Sequence, residues 1–294
     1  MVFHENYRQG YRYYSRLVLL AAILCLTAGC TADAPGPASP TAGPTSSVTE
    51  WLDKAETAAG QMANYAFELH LNQQLSGESD EDRSNVKIDM QGRVERSPLK
   101  LDQTIKSDID GEKSTLRAIV VPDAYYMYLP EYEEWNKLGK EVAAENVATL
   151  SDFQVDPKKA LQNIRALGNA LAVEPNEKRI SVNYEGVGEE ASSFVARVLG
   201  STLGLSGTET EIKSSLALRK LKVSMNLDAE KHWPLSYRIE SDFTIELEPG
   251  RKTVVSQALA GTYNKHNATA AITVPKEALK ALDPDEMDEQ LDLQ

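Results

Sequence analysis

The order of patterns along the chain predicts an α+β fold: a curved antiparallel β-sheet, a half-barrel, with helices packed on its concave face. Apolar and polar residues alternate with period two through residues 65–129 and again through 216–263, whereas residues 141–205 repeat at helical spacing. Segregated runs of strands and helices, in place of strict alternation, imply an antiparallel sheet with the helices gathered upon it. The chain has 294 residues, 41% of them hydrophobic, which is enough to fill one large core.

Ahead of that domain stands a leader. Residues 1–16 carry Arg8, Arg12 and Arg16 against one acid, Glu5, and residues 17–26 contain neither charge nor proline. A basic stretch, a short apolar run and small residues before a cut is the layout of a secretory signal. The run is too short to span a bilayer, which needs about 20 residues. Leu26-Thr27-Ala28-Gly29-Cys30 then resembles a bacterial lipobox, with Thr27 where leucine is usual. The resemblance implies a signal peptide over residues 1–29, cut between Gly29 and Cys30, and a diacylglyceryl thioether on Cys30. The membrane would then be a partner through that lipid, and the protein would face outward from it. Two acyl chains make such attachment durable. An ordinary secretory signal with an incidental cysteine is the alternative. Cys25, the one other cysteine, falls inside the leader, so the mature domain would hold no disulfide.

Residues 30–50 follow as a tether. After Cys30 they read TADAPGPASPTAGPTSSVTE, too poor in apolar area to offset the entropy of ordering. The α+β domain is expected over residues 51–282. A first helix is predicted over 51–64, with Thr49 as N-cap and Leu52, Ala55, Ala59 and Met62 on one face. Tyr65, Phe67, Leu69 and Leu71 then alternate with polar residues, as a strand with one wet and one buried face does. Val86, Ile88 and Met90 continue the alternation, and Leu99 and Leu101 open a third strand that ends near Asp108. Asp110-Gly111 is a hairpin turn, and residues 115–121 and 124–129 complete a meander.

The helical block opens with a candidate helix over 141–150. Asp156-Pro157 reads as an N-cap followed by proline at the first helical position, ahead of an apolar stripe at Ala160, Leu161, Ile164, Leu167 and Leu171. A short strand is predicted at 178–184. A helix over 187–205 carries Val187, Ala191, Phe194, Val195, Val198, Thr202 and Leu203 on its apolar face, and Gly204 and Gly207 end it. In the last third, Leu216 and Leu218 share one parity and Leu221, Val223, Met225 and Leu227 the other. That shift predicts a bulge near Arg219-Lys220. Strands at 237–247 and 254–263, a helix at 276–282 and an acidic tail over 283–294 finish the chain.

Charge excludes one class of partner. The formal net charge is −13, and loss of the leader's three arginines and one glutamate takes it to −15. No basic face remains to neutralise phosphates, so nucleic acid is not expected as a partner. Catalytic patterns are also missing. In Gly200-Ser201-Thr202-Leu203-Gly204 a threonine stands where a nucleophile elbow needs its nucleophile. Asp108-Ile109-Asp110-Gly111 fails as a calcium loop because Lys106 and Arg117 occupy ligand positions. His70, His232 and His266 have no metal-ligand spacing. Neither an enzyme nor a bound metal or cofactor is expected.

Three stretches carry a family likeness. They are Ala124-Tyr125-Tyr126-Met127-Tyr128-Leu129 with Trp135-Asn136-Lys137-Leu138; the strand–turn–strand of residues 221–237; and Gly261-Thr262-Tyr263 with Asn267 and Ile272-Thr273-Val274-Pro275. Together they resemble the Gram-positive lipoproteins of LolA/LppX-like fold. The resemblance implies a half-closed antiparallel sheet wrapped around helices, an apolar cavity between them, and binding of acyl chains or lipoproteins. It brings no catalytic residues. Phe67, Leu69, Phe194, Val198, Val223, Met225 and Ile245 would line such a cavity, or would form a filled core. With a filled core, the domain would be an envelope protein-interaction or sensing module. The aromatic group Tyr125, Tyr126, Tyr128, Tyr132 and Trp135 suits either an amphipathic mouth or edge-strand packing.

Overall fold

The computed structural model describes residues 46–77, 79, 82–202, 209–248 and 250–281. The leader with Gly29 and Cys30, most of the tether, residues 203–208 and the acidic tail lie outside them. Helix α1 (Ser46–Gly60) leads into strands β1 (Asn64–Ser76), β2 (Ser84–Arg96), β3 (Leu99–Ile109), β4 (Glu112–Val121), β5 (Ala124–Leu129) and β6 (Glu134–Leu138). Helices α2 (Lys140–Ala148), α3 (Asp152–Val155) and α4 (Pro157–Arg165) follow, then β7 (Ala172–Pro175) and β8 (Arg179–Glu185). Helices α5 (Glu189–Thr202) and α6 (Glu209–Ser215) precede β9 (Leu216–Asp228), β10 (Pro234–Glu248) and β11 (Arg251–Asn264).

All eleven strands form one open antiparallel sheet in the order β6-β5-β4-β3-β2-β1-β11-β10-β9-β8-β7. The first and last strands pair at its centre, with Phe67 opposite Tyr263 and Gln73 opposite Gln257. Neighbouring strands twist by roughly 20°, so a sheet this wide bends, and it bends around its helices. Tyr65, Phe67, Val94, Leu101, Val223, Met225, Tyr237 and Tyr263 share one buried cluster with Leu52, Ala160, Ile164 and Phe194 from the helices. The fold is therefore α+β, with the helices on one face.

Local chemistry accounts for the junctions. Asp110 and Gly111 both have positive φ (56° and 90°), as a two-residue hairpin turn between β3 and β4 requires. The Asp110 carboxylate accepts from Asn85 N at 2.7 Å and from Ser84 Oγ at 2.9 Å, which ties that turn to β2. Asp156 caps α4 by accepting from Lys159 N, with Pro157 next in line. Between β9 and β10 the register slips: Lys220 faces Asp242, Leu218 faces Phe243, and Arg219 is the extra residue. The bulge restores inward parity to Leu216 and Leu218.

Several boundaries differ from expectation. Helix α1 starts at Ser46, inside the expected tether, so Thr49 lies within it and is no N-cap. Its apolar face begins with Val48, buried beside Leu52 and Ala55, and burial of that face extends the helix upstream. Helix α5 starts at Glu189, two residues after Val187, which is 54% exposed and belongs to no apolar face. The predicted helix at 276–282 is only a 3-10 turn, Ala278–Lys280. The expected Thr202 and Leu203 side chains and the Gly204 and Gly207 stop fall outside what is described.

The outer face carries a second, smaller core. After β11 the chain crosses back over the meander, and Ile272 and Ala278 pack on Ile119, Ala124 and Tyr126. Asn267 anchors this strap: its Oδ1 accepts from Ala63 N at 2.7 Å and its Nδ2 donates to Gln61 O at 3.1 Å. Ile272 N donates to Glu95 Oε1 at 2.6 Å. No helix among the described residues is long and apolar enough to cross a membrane.

Candidate ligand site

The seven residues expected to line a cavity are packed against protein. Phe67, Leu69, Phe194, Val198, Val223, Met225 and Ile245 all belong to the main core, and the most exposed, Val198, keeps 7% of its surface. A void wide enough for an alkyl chain would admit a water-sized sphere and leave its lining accessible. Phe194 and Met225, at 0%, show no such space. Parity assigned the strand residues Phe67, Leu69, Val223, Met225 and Ile245 correctly to the inner face, and helix α5 brings Phe194 and Val198 into the same core.

Helix α3 contributes to the filling of that core. Its Phe153 meets Phe194 edge-on at 6.3 Å and Tyr237 at 4.9 Å between ring centroids. Two strand tyrosines hold its backbone. Tyr65 Oη donates to Gln154 O at 2.8 Å and Tyr263 Oη to Phe153 O at 2.5 Å. Burial pushes the Tyr65, Tyr237 and Tyr263 hydroxyls far above the ordinary phenol range, so all three stay protonated donors. Two glycines make room for rings on the inner face. Phe67 lies against Gly92, and Tyr237 lies across Gly261.

The same inner face is less well covered toward the far ends of the strands. Leu71 on β1, Ile88 and Met90 on β2, Ile105 and Ile109 on β3 and Leu259 on β11 are only half-buried, while the alternate residues Lys87, Asp89 and Gln91 are exposed on the outer face. The register places them side by side: Leu259 faces Leu71, which faces Ile88, and Met90 faces Ile105. They make a half-covered apolar strip, or trough, continuous with the core. It holds the Ser107–Ser114 pair beside Ile88 and a polar row in which Gln73 faces Gln257 and Gln257 faces Ser241. Gln73 Nε2 donates to Gln257 Oε1 at 3.0 Å. Sequence reading passed over this row, although inward parity at Gln73 and Gln257 marks them as polar residues on an apolar face.

A cavity of about 420 Å³ lies elsewhere, between the β2–β3 turn and helices α2 to α4. Leu99 and Leu150 meet two ion pairs in its wall, Arg96–Asp156 at 2.9 Å and Lys159–Asp152 at 3.1 Å. None of the seven candidates lines it. The aromatic group is also split. Tyr125 faces the main core, Tyr126 the outer core, and Tyr132 is 71% exposed. Tyr128 packs on Trp135 at 5.2 Å, with the Arg117 guanidinium 5.6 Å from the Trp135 ring, so these aromatics form no single mouth.

Comparison with known proteins gives a family and remote structural likenesses. The family model described as "Family of unknown function (DUF6612)" matches residues 47–283. No curated protein matches the chain. A β-barrel-like protein of the domain of unknown function DUF1849 from Brucella abortus is 8% identical, with a TM-score of 0.23, over 69% of this chain and 99% of that one. A DUF1329 family protein from Desulfovibrio piger is 11% identical, with a TM-score of 0.22, over 72% of this chain and 92% of that one.

Proposed function

The chain belongs to the DUF6612 family of unknown function, and from that premise we propose that it is a membrane-anchored extracytoplasmic lipoprotein that binds a hydrophobic or amphipathic ligand. The ligand is a lipid, or the acyl chain of a lipoprotein, and it lies against the inner face of the sheet. The lipid on Cys30 supplies the anchor. The likeness to LolA/LppX-like lipoproteins is part of this reading, and the protein acts by binding rather than by catalysis.

The observation that supports it is the trough. Leu71, Ile88, Met90, Ile105, Ile109 and Leu259 retain accessible surface on a face that is otherwise core. Covering apolar surface is worth about 25 cal/mol per Å², so an alkyl chain laid along these rows would be held by the force that fills the rest of the face. Mild detergent extraction followed by native mass spectrometry tests the reading. A co-purifying lipid, or saturable uptake of the neutral dye N-phenyl-1-naphthylamine, is expected; absence of both overturns it.

A second reading is favoured by the packing of the seven core residues. With the interior filled around Phe153, the domain would be an envelope protein-interaction or sensing module that binds nothing between sheet and helices. Proximity labelling that recovers one envelope protein, together with no dye uptake, would select it.

A further inference from the structure

The inner face carries three uncharged polar side chains in one register row: Ser241 on β10, Gln257 on β11 and Gln73 on β1. Apolar rows flank it on both sides, Ile239, Leu259 and Leu71 on one and Phe243, Val255 and Leu75 on the other. Ser241 lies at the covered end of the row. It is 1% exposed, and its Oγ has no hydrogen-bond partner among the described residues. Buried hydroxyls are nearly always paired, because losing water without a replacement bond costs free energy. Gln257 and Gln73 lie toward the trough and are half-buried. Each spends one amide group on the other, the only side-chain hydrogen bond either makes among the described residues. The Nε2 of Gln257 and one N–H of Gln73 are thereby left to donate, and Gln73 Oε1 to accept, whereas the covered Ser241 hydroxyl is out of a ligand's reach.

Charge narrows what these groups can receive. Neither this row nor the flanking rows hold an ionised side chain from β10 to β1. A carboxylate or phosphate brought here would lose its hydration with no cation in these strand rows to offset the loss. A bare hydrocarbon would cover the amides and leave them unpaired. A neutral carbonyl satisfies both constraints, because it accepts from the amide donors and loses little hydration.

We propose, resting on the ligand reading above, that the Gln257–Gln73 pair receives the neutral ester or amide linkage of an acyl lipid whose chain lies on Leu71, Ile88 and Leu259. The ligand class is a neutral acyl ester or amide, in preference to a free fatty acid or a hydrocarbon.

The test is displacement of bound N-phenyl-1-naphthylamine from the full chain by monolaurin, laurate at pH 8 and dodecane, which share one chain length. The expected ranking puts monolaurin ahead of the other two by about tenfold, the effect of one or two hydrogen bonds to the linkage. Gln73→Leu combined with Gln257→Leu should erase that preference and leave dodecane displacement unchanged or improved. An unchanged preference in this variant, or laurate as the best competitor on the unmodified chain, overturns the proposal. Should the double variant fail to fold by circular dichroism, the ranking on the unmodified chain decides alone. Failure of the chain to take up dye at all is a separate outcome: it removes the ligand reading itself and the proposal with it.

Discussion

The ring of Tyr237 lies across the backbone of Gly261 on the neighbouring strand, so closely that a Cβ at position 261 would stand 2.5 Å from the ring Cζ. Tyr237 is buried and packs against both Phe153 and Tyr263, so it has little room to yield. Gly261→Ala should therefore destabilise the domain by about 1–3 kcal/mol, the usual cost of overpacking. Urea unfolding followed by circular dichroism measures this, and a change within 0.5 kcal/mol, as at a free surface site, would contradict it.

Core and trough should respond in opposite ways. Phe194→Ala empties space beside Phe153 and is expected to cost about 3–5 kcal/mol. Ile88→Asn alters a half-buried side chain and should cost far less, yet it should weaken dye uptake several-fold. Parallel melts and dye titrations of the two variants separate the roles.

Asp102 gives a pH signature. Burial alone would raise its carboxyl, but hydrogen bonds from Arg117 and Arg93 outweigh burial and hold it below the usual carboxylate range. Arg93 Nη2 lies 2.6 Å and Arg117 Nε 3.1 Å from its two oxygens. A depressed native pKa stabilises the fold at any pH above the unfolded value, near 4, and the contribution fades as pH falls through the native value. Asp102→Asn should cost about 1–3 kcal/mol at pH 7, and the difference from the parent should shrink at pH 3. Unfolding curves at the two pH values check this; equal differences at both would contradict it.

Asn267 holds the strap at a backbone φ of 56°, a left-handed conformation that asparagine tolerates better than most residues. Its side chain closes onto Ala63 N and Gln61 O. Asn267→Ala should loosen the strap, raising amide exchange at Ile272 while the β1–β11 pairing stays protected. Asn267→Gly relieves the backbone without restoring the side-chain bonds, so it should lie between parent and alanine variant.

Cys30→Ala removes the expected acylation site. The variant should move from the membrane fraction to the soluble one and lose the mass of the lipid. Retention in the membrane fraction with the leader uncut would remove the anchor from the proposed function.

Much of the sheet was legible because strands advertise themselves through parity. The slip in parity after Leu218 located the bulge at Arg219, and Asp110-Gly111 and Asp156-Pro157 marked a turn and a helix start through their backbone preferences. The shortest elements were not legible. Helix α3 has four residues, fewer than one helical period can reveal, and β7 has four, β6 five and α6 seven. The covering of the inner face was legible only in part. Strong inward hydrophobicity selects Val223 and Met225, and the same property draws helices over them. Whether an inward residue ends up covered depends on which helix lands there, as Leu69 and Leu71 show: they are two residues apart on β1, and only the first is fully buried.

Helix α1 lies at one end of the sheet. Its Trp51 packs 5.6 Å from His232 in the turn joining β9 to β10, at the end of the sheet where β1 begins. Gln73 stands nine residues along β1 from Asn64, roughly 30 Å away at strand rise. Trp51 and the half-covered apolar rows thus stand toward opposite ends of β1. Under the proposed anchor, a lipid taken up on those rows would enter at the end of the domain away from helix α1.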